Sequence, residues 1–392
     1  MNLRLRKWLT GIAVVVAGLV FVVVALEFSL RAVGPPRDRF YVWPPGMHVT
    51  FEPSPEYLPG VDGTAHVIIN SDGVRGDEVE SDVDYKILVI GGSSSECSYL
   101  DQSEAWPQQL QHQLQRKLSG RRVWVGNAGR SGITSHHHRT HLYFLLPQFE
   151  DIDVVVVLGG VNDLTYRLAM DDAYAPRVVE EPEVERALVR RSFSIRPDSY
   201  NRTLPPHKRM ELWRRSTELM WVVARRTLLP DDRGLAYQKR RARRASATGF
   251  RDALPDLEGA LDEYASNVRA MIELARQYGC RIVFLTHPSM WRGDMPPELS
   301  RLLWFGAVGD QRVREPGEYY SVTALQAGLD RFNLRLMEVC SAAGVDCLDL
   351  APQVQADTTI FYDDVHLNEQ GARRVAELTA NFLTRTAGMG EY

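Results

Sequence analysis

Hydrophobic positions along this chain follow three regimes. The first is one unbroken stretch: Trp8 to Leu26 carries no charged residue and is dominated by Val, Leu, Ile and Ala, long enough to cross a bilayer as a helix. The second, to about Asp84, is punctuated by Gly34-Pro35-Pro36 and Trp43-Pro44-Pro45 and reads as short strands and turns, including the run Ile69 to Gly76. The third begins at Tyr85, where short runs rich in β-branched residues predict strands over Ile87–Ile90, Val123–Val125, Val154–Leu158, Ile282–Thr286 and Cys347–Leu350. Several are apolar throughout, as strands covered on both faces should be.

Helical patterns alternate with these strands over roughly Ala105–Leu118, His138–Leu146, Leu257–Tyr278, Thr323–Ala343 and Glu369–Thr386. Within the third, Leu261, Tyr264, Val268, Met271 and Leu274 recur at helical spacing. Alternation of this kind implies right-handed crossovers, hence a three-layer α/β/α sandwich around a mostly parallel five-stranded sheet. The expected divisions are an N-terminal membrane anchor (1–34), a linker and N-terminal extension (35–84), and an α/β domain (85–392) with an insertion at about 165–255. That insertion holds Trp213, Trp221 and the basic run Lys239 to Arg244. A connection this long reads as a mixed helical insertion over the functional edge of the sheet, with the basic run as a solvated face.

Charge and cysteine content add compartment. A formal net charge of -4 gives no reason to invoke nucleic acid. Arg4, Arg6 and Lys7 precede the apolar stretch, so the N-terminus stays cytoplasmic and the remainder is exported. No convincing small-x-small cleavage site precedes Glu27, which favours an uncleaved single-pass anchor in the inner membrane over a signal peptide. The four cysteines then permit disulfides: any pairing among Cys280, Cys340 and Cys347 is compatible with their positions, and Cys97 is expected to be unpaired.

Four short segments end strands or follow them: Gly91-Gly92-Ser93, Asn127 to Gly132, Gly159 to Asp163, and Asp363-Asp364-Val365-His366-Leu367. In a parallel sheet these loops converge on one edge. Ser93-x-x-Glu96 by itself is a capping-box pattern. With the other three segments the residue types become complementary. A serine nucleophile needs a base, which His366 supplies, and the imidazolium needs an anion, which Asp363 supplies three residues earlier. An oxyanion needs donors, and the N–H groups of Ser93 and Gly132 with the side-chain amide of Asn162 offer three.

These four blocks, in this order, resemble the SGNH hydrolase superfamily, also called the GDSL esterase/lipase family. The resemblance runs from about Tyr85 to Ala387 and implies a flavodoxin-like fold. It implies Ser93 as nucleophile, Gly132 and Asn162 in the oxyanion hole, and Asp363 and His366 completing a triad. Gly92 stands where the commonest first block has aspartate. The Asn70 to Gly76 turn and Glu96 to Leu100 also resemble a bacterial membrane-anchored subgroup. No cofactor or metal is implied.

Other titratable residues read as structural. His136, His137, His138 and His141 lack the glutamate of a zincin pattern and read as solvated residues at a helix start. His287 is the rival base but has no aspartate at the expected spacing, so substrate contact or packing is its expected role. Asp163 reads as holding its loop by hydrogen bonds, and Glu96 as structural. The leading reading is an exported, anchored serine esterase acting on short acyl esters such as acetyl, carried by a cell-envelope or exported glycan. An O-acyltransferase with the same triad, a lysophospholipase or lipase, and a non-catalytic glycan-binding protein are the alternatives.

Overall fold

The computed structural model describes all residues except 1–2, 150, 178–181, 183–184, 204, 218–219, 221–232, 310–316 and 387–392. Trp221 lies outside the described residues. The chain divides into two compact units. One comprises residues 1–39 and 196–230, the other residues 40–195 and 231–392.

In the first unit a single helix spans Leu3–Ala32. Its segment Arg6–Ala32 is long and apolar enough to cross a membrane, with a mean hydropathy of 2.9 in its most apolar window. Near the end of that helix, the Glu27 carboxylate accepts the backbone N–H groups of Glu211 and Leu212, both at 2.9 Å. Those N–H groups begin the helical segment 211–217, so Glu27 satisfies donors a helix start would otherwise leave open.

Among the described residues of the second unit there are nine short strands: β1 (His48–Phe51), β2 (Ala65–Ile68), β3 (Tyr85–Gly91), β4 (Val123–Asn127), β5 (Val154–Leu158), β6 (Gly249–Arg251), β7 (Arg281–Leu285), β8 (Glu318–Tyr320) and β9 (Asp346–Leu348). Five of them form one sheet in the order β4-β3-β5-β7-β9. Every pairing in it is parallel. Ile87 to Ile90 of β3 and all of β5 are buried, because helices cover both faces. Trp106–Lys117 packs with Glu369–Thr386, while Ser135–Leu145 and Val322–Ala343 both pack on Glu258–Gln277. Relabelled in order along the sheet's strands, the arrangement is 2-1-3-4-5, the flavodoxin-like order. Its direction of winding reverses between β3 and β5, and the crevice beyond their carboxyl ends is where such sheets hold ligands.

β1 and β2 form an antiparallel hairpin over a small core of Phe51, Ala65, Val67 and Ile69. The Asn70 to Gly76 turn follows, with Asn70 Oδ1 accepting the N–H groups of Asp72 and Val74 at 3.1 Å. Arg75 then exchanges backbone hydrogen bonds with Asn127 at the end of β4. Its buried guanidinium donates to the carbonyls of Glu96, Cys97 and Leu100, each at 2.8 Å. The turn therefore braces the segment immediately after Ser93.

Cys340 and Cys347 form the disulfide, tying the end of the Val322–Ala343 helix to β9. Cys97 and Cys280 are buried free thiols. The basic run departs from expectation. It forms the helix Leu235–Ala245, and Arg241 and Arg244 turn inward instead of facing solvent. Arg241 donates to the carbonyls of Leu302, Tyr57 and Tyr362, and Arg244 to those of Phe305 and Tyr320. Loop carbonyls in need of donors outcompete water for these two side chains.

Candidate active site

Ser93 is the first residue of a single helical turn, Ser93–Glu96, that begins directly after β3. The sequence allowed Ser93 to be a capping-box residue. Instead Gly92 occupies the N-cap position, and Glu96 accepts hydrogen bonds from the Ser98 hydroxyl and the Ser131 N–H. One turn carries little macrodipole, so the local chemistry comes from hydrogen bonds. Ser93 Oγ lies 2.7 Å from His366 Nε2.

His366 is held from its other nitrogen. Its Nδ1 stands 2.7 Å from Asp363 Oδ2 and 2.9 Å from Oδ1. Asp363 Oδ1 also accepts the backbone N–H groups of Val365 and His366. Oδ2 accepts the Trp304 indole N–H at 2.8 Å. Burial of Asp363 pushes its pKa up. The charge of His366 and these donors outweigh that and hold the carboxyl below its usual range. An ionised Asp363 keeps the proton on Nδ1, which leaves Nε2 to accept from the Ser93 hydroxyl.

Around His366 stand four aromatic rings. Tyr362 stacks at 5.5 Å, Tyr237 meets it edge-on at 5.9 Å, Trp304 is parallel at 6.4 Å, and Phe305 is tilted at 6.2 Å. Tyr237 comes from the Leu235–Ala245 helix, and Trp304 and Phe305 from the connection between β7 and β8. The neighbouring carboxylate Asp364 accepts the Trp291 indole N–H and the Trp304 backbone N–H, at 2.8 and 2.7 Å. Burial, and then the charge of Asp363, raise its pKa to about 6.

On the other side of Ser93 lie Gly132 and Asn162. Asn162, in the first turn of the helix Val161–Met170, donates one amide hydrogen to the Ile133 carbonyl at 2.8 Å. Its second amide hydrogen remains for another acceptor. A Cβ at residue 92 would stand 2.6 Å from Asn162 Nδ2, so glycine is what this approach allows. Gly132 adopts φ +69, a backbone region that favours glycine. It is flanked by Ser131, bound to Glu96, and by Ile133, bound to Asn162. The loops after β3, β4 and β5 are thus tied to one another beside Ser93. Asp163, the next residue, accepts the Ser135 N–H and hydroxyl, which anchors the start of the Ser135–Leu145 helix.

His287 bonds the residue next to Ser93 instead of Ser93 itself. Its Nε2 meets Ser94 Oγ at 3.1 Å and its Nδ1 meets the Pro288 carbonyl at 2.8 Å. Burial lowers its pKa to about 4. The four clustered histidines correct the sequence reading, because His136, His138 and His141 are buried, not solvated. The helix starts at Ser135, and a capping interaction between Thr134 and His137 extends it three residues beyond the predicted start. That turn carries His136 onto Glu263 and His141 onto the Ser192 carbonyl. Among the described residues no cluster of His, Cys, Asp and Glu has metal-holding geometry.

Sequence reasoning missed Ser94, Trp304, Tyr237 and Tyr362. Trp304 sits in the apolar run Leu302 to Phe305, whose composition says nothing of the carboxylates it meets.

Comparison with known proteins places the chain. The model of the GDSL-like lipase/acylhydrolase family matches residues 89–374. Among solved structures, Axe2, an acetylxylan esterase from Geobacillus stearothermophilus, aligns at 12% identity and a TM-score of 0.40, over 78% of this chain and 96% of that one. LAE5, an α/β hydrolase enzyme from the Lake Arreo metagenome, aligns at 13% identity and a TM-score of 0.40, over 79% and 98%. A lipolytic G-D-S-L protein from Veillonella parvula gives 11% and 0.40, over 77% and 99%. No curated protein matches the chain. With the family model spanning most of the α/β unit, the chain belongs to the GDSL-like lipase/acylhydrolase family and is a serine ester hydrolase.

Proposed function

We propose that this protein is a membrane-anchored esterase that removes short acyl groups, acetyl foremost, from an exported or cell-envelope glycan, with Ser93 as nucleophile. The observation that carries the reading is the chain of hydrogen bonds from Ser93 Oγ through His366 to Asp363. Ser93 Oγ attacks the ester carbonyl while His366 Nε2 takes its proton. The carbonyl oxygen becomes an oxyanion facing the N–H groups of Ser93 and Gly132 and the free amide hydrogen of Asn162. Collapse expels the alcohol, which receives the proton from His366, and leaves an acyl-serine. A water molecule deprotonated by His366 then attacks that ester, releasing the acid and restoring Ser93. Asp363 orients the imidazole and stabilises its charged form without taking the proton.

A short acyl group is supported by the cleft at Ser93, walled closely by His138, Leu158, Gly159 to Asn162 and His287. The apolar helix with Arg6 and Lys7 at its start supports a single-pass anchor with the α/β unit outside the cytoplasm. Hydrolysis of p-nitrophenyl acetate by the purified full chain tests the assignment. Ser93→Ala should lower kcat by about 10³-fold or more. A variant as active as the native protein would remove Ser93 from the mechanism.

A further inference from the structure

One half-buried indole ties together the two adjacent carboxylates at the base side of the site. The Trp304 side-chain N–H donates to Asp363 Oδ2, and its backbone N–H donates to Asp364 Oδ2. Of the donors described on the Asp363 carboxylate, the other three belong to Val365 and His366, within its own loop. Trp304 is therefore the one donor among the described residues that fixes this carboxylate against the rest of the fold. The indole is itself gripped. Its backbone neighbours Leu302 and Phe305 present carbonyls to Arg241 and Arg244. On one side the ring packs on Phe305 at 4.1 Å, and the Arg240 guanidinium sits 4.4 Å from its centroid.

Resting on the assignment of Asp363 and His366 above, we propose that Trp304 is a positioning residue of this esterase, which orients the Asp363 carboxylate and lowers the proton affinity of the Asp363–His366 couple. The physical reason is that a hydrogen bond donated to a carboxylate favours its charged form and shares the electron density that would otherwise be offered to His366 Nδ1. Trp304→Phe keeps a ring in place and deletes that donor. The couple then holds its proton more tightly, so protonated, inactive His366 persists to higher pH.

Other charged and titratable groups face the couple. Asp364 and Tyr362 flank it in its own loop, Tyr237 and Arg241 face it from the Leu235–Ala245 helix, and His287 lies across the site. All of them remain in the variant, so a shift between the two proteins reports the lost donor. The test is the pH profile of kcat/KM for p-nitrophenyl acetate with the full chain. Trp304→Phe should move the acid limb upward by about half to one pH unit and lower kcat about tenfold, with KM nearly unchanged. Phe305→Leu, which disturbs the same aromatic packing but keeps the backbone N–H on Asp364 and the indole on Asp363, should leave the acid limb where it is.

An unmoved acid limb in Trp304→Phe, or an equal shift in Phe305→Leu, overturns the proposal. Should Ser93→Ala and His366→Ala both retain full activity, the catalytic assignment falls and this inference with it. If those two are inactive while the Trp304→Phe profile is native, only the role of Trp304 falls.

Discussion

The two sides of Ser93 are built from different materials. On the proposed oxyanion side, Gly92 and Gly132 come from the loops after β3 and β4, and Asn162 from the first turn of the helix after β5, where its amide bonds the Ile133 carbonyl. On the base side, His366 stands on a loop before the last helix. It is surrounded by Tyr237 and Trp304 from connections far away in the chain. The first side inherits its geometry from the sheet register, where Gly91 pairs with Leu158 and Val89 with Asn127. The second lies outside the sheet, in a loop closed by one antiparallel bridge between Phe361 and Leu367, and relies further on buried carboxylates, indoles and inward-turned arginines. The comparison teaches that rigidity arrives in two ways, by hydrogen-bond ladders on one side and by polar networks in an aromatic setting on the other.

The comparison can be broken most severely at Asn162. Asn162→Ala removes the side chain proposed as an oxyanion donor and should lower kcat for p-nitrophenyl acetate by about 10²–10³-fold, with little change in KM. A loss below tenfold would mean that backbone N–H groups alone carry the oxyanion. Gly92→Ala should have a smaller effect, about tenfold in kcat, because a Cβ at that position pushes the Asn162 amide aside without deleting it. Combining the two substitutions sharpens the point: the double variant should be no worse than Asn162→Ala alone, since both act on the same amide.

The smallest effect lies on the base side, in stability. Asp364 is raised from 3.8 to about 6 by burial and by the charge of Asp363. The folded protein therefore binds this proton more tightly than the unfolded chain. Its contribution to stability is complete below about pH 4 and is lost as pH rises through about 6. Asp364→Asn, which keeps an acceptor oxygen for only one of the Trp291 and Trp304 donors and so lowers stability at every pH, should lack that part of the decline. Melting temperatures measured between pH 4 and 8 would check it, and parallel curves for the two proteins would contradict it.

Much of the α/β unit was legible because its core strands are short apolar runs between turn signals. β5 occupies the predicted span, Val154–Leu158. β9 is displaced toward Asp346–Leu348, because the chain turns at once and Leu350 N–H bonds the Leu348 carbonyl. Periodicity missed the start of the Ser135–Leu145 helix, since its capping pair, Thr134 and His137, is an unusual one. The clustered histidines looked like surface for the same reason. Charge misled in the basic run, because a guanidinium that finds loop carbonyls is as well satisfied inside as out.

The sequence by itself determined the strand–helix alternation, the parallel sheet and the four loop blocks that gather at its edge. Apolar periodicity and glycine turns are local properties that any chain segment carries with it. Only the tertiary structure decided which histidine faces Ser93, which cysteines pair, and that Trp304 reaches Asp363. Each of these joins residues distant in the chain or offered several partners, and their choice depends on where packing leaves a donor opposite an acceptor.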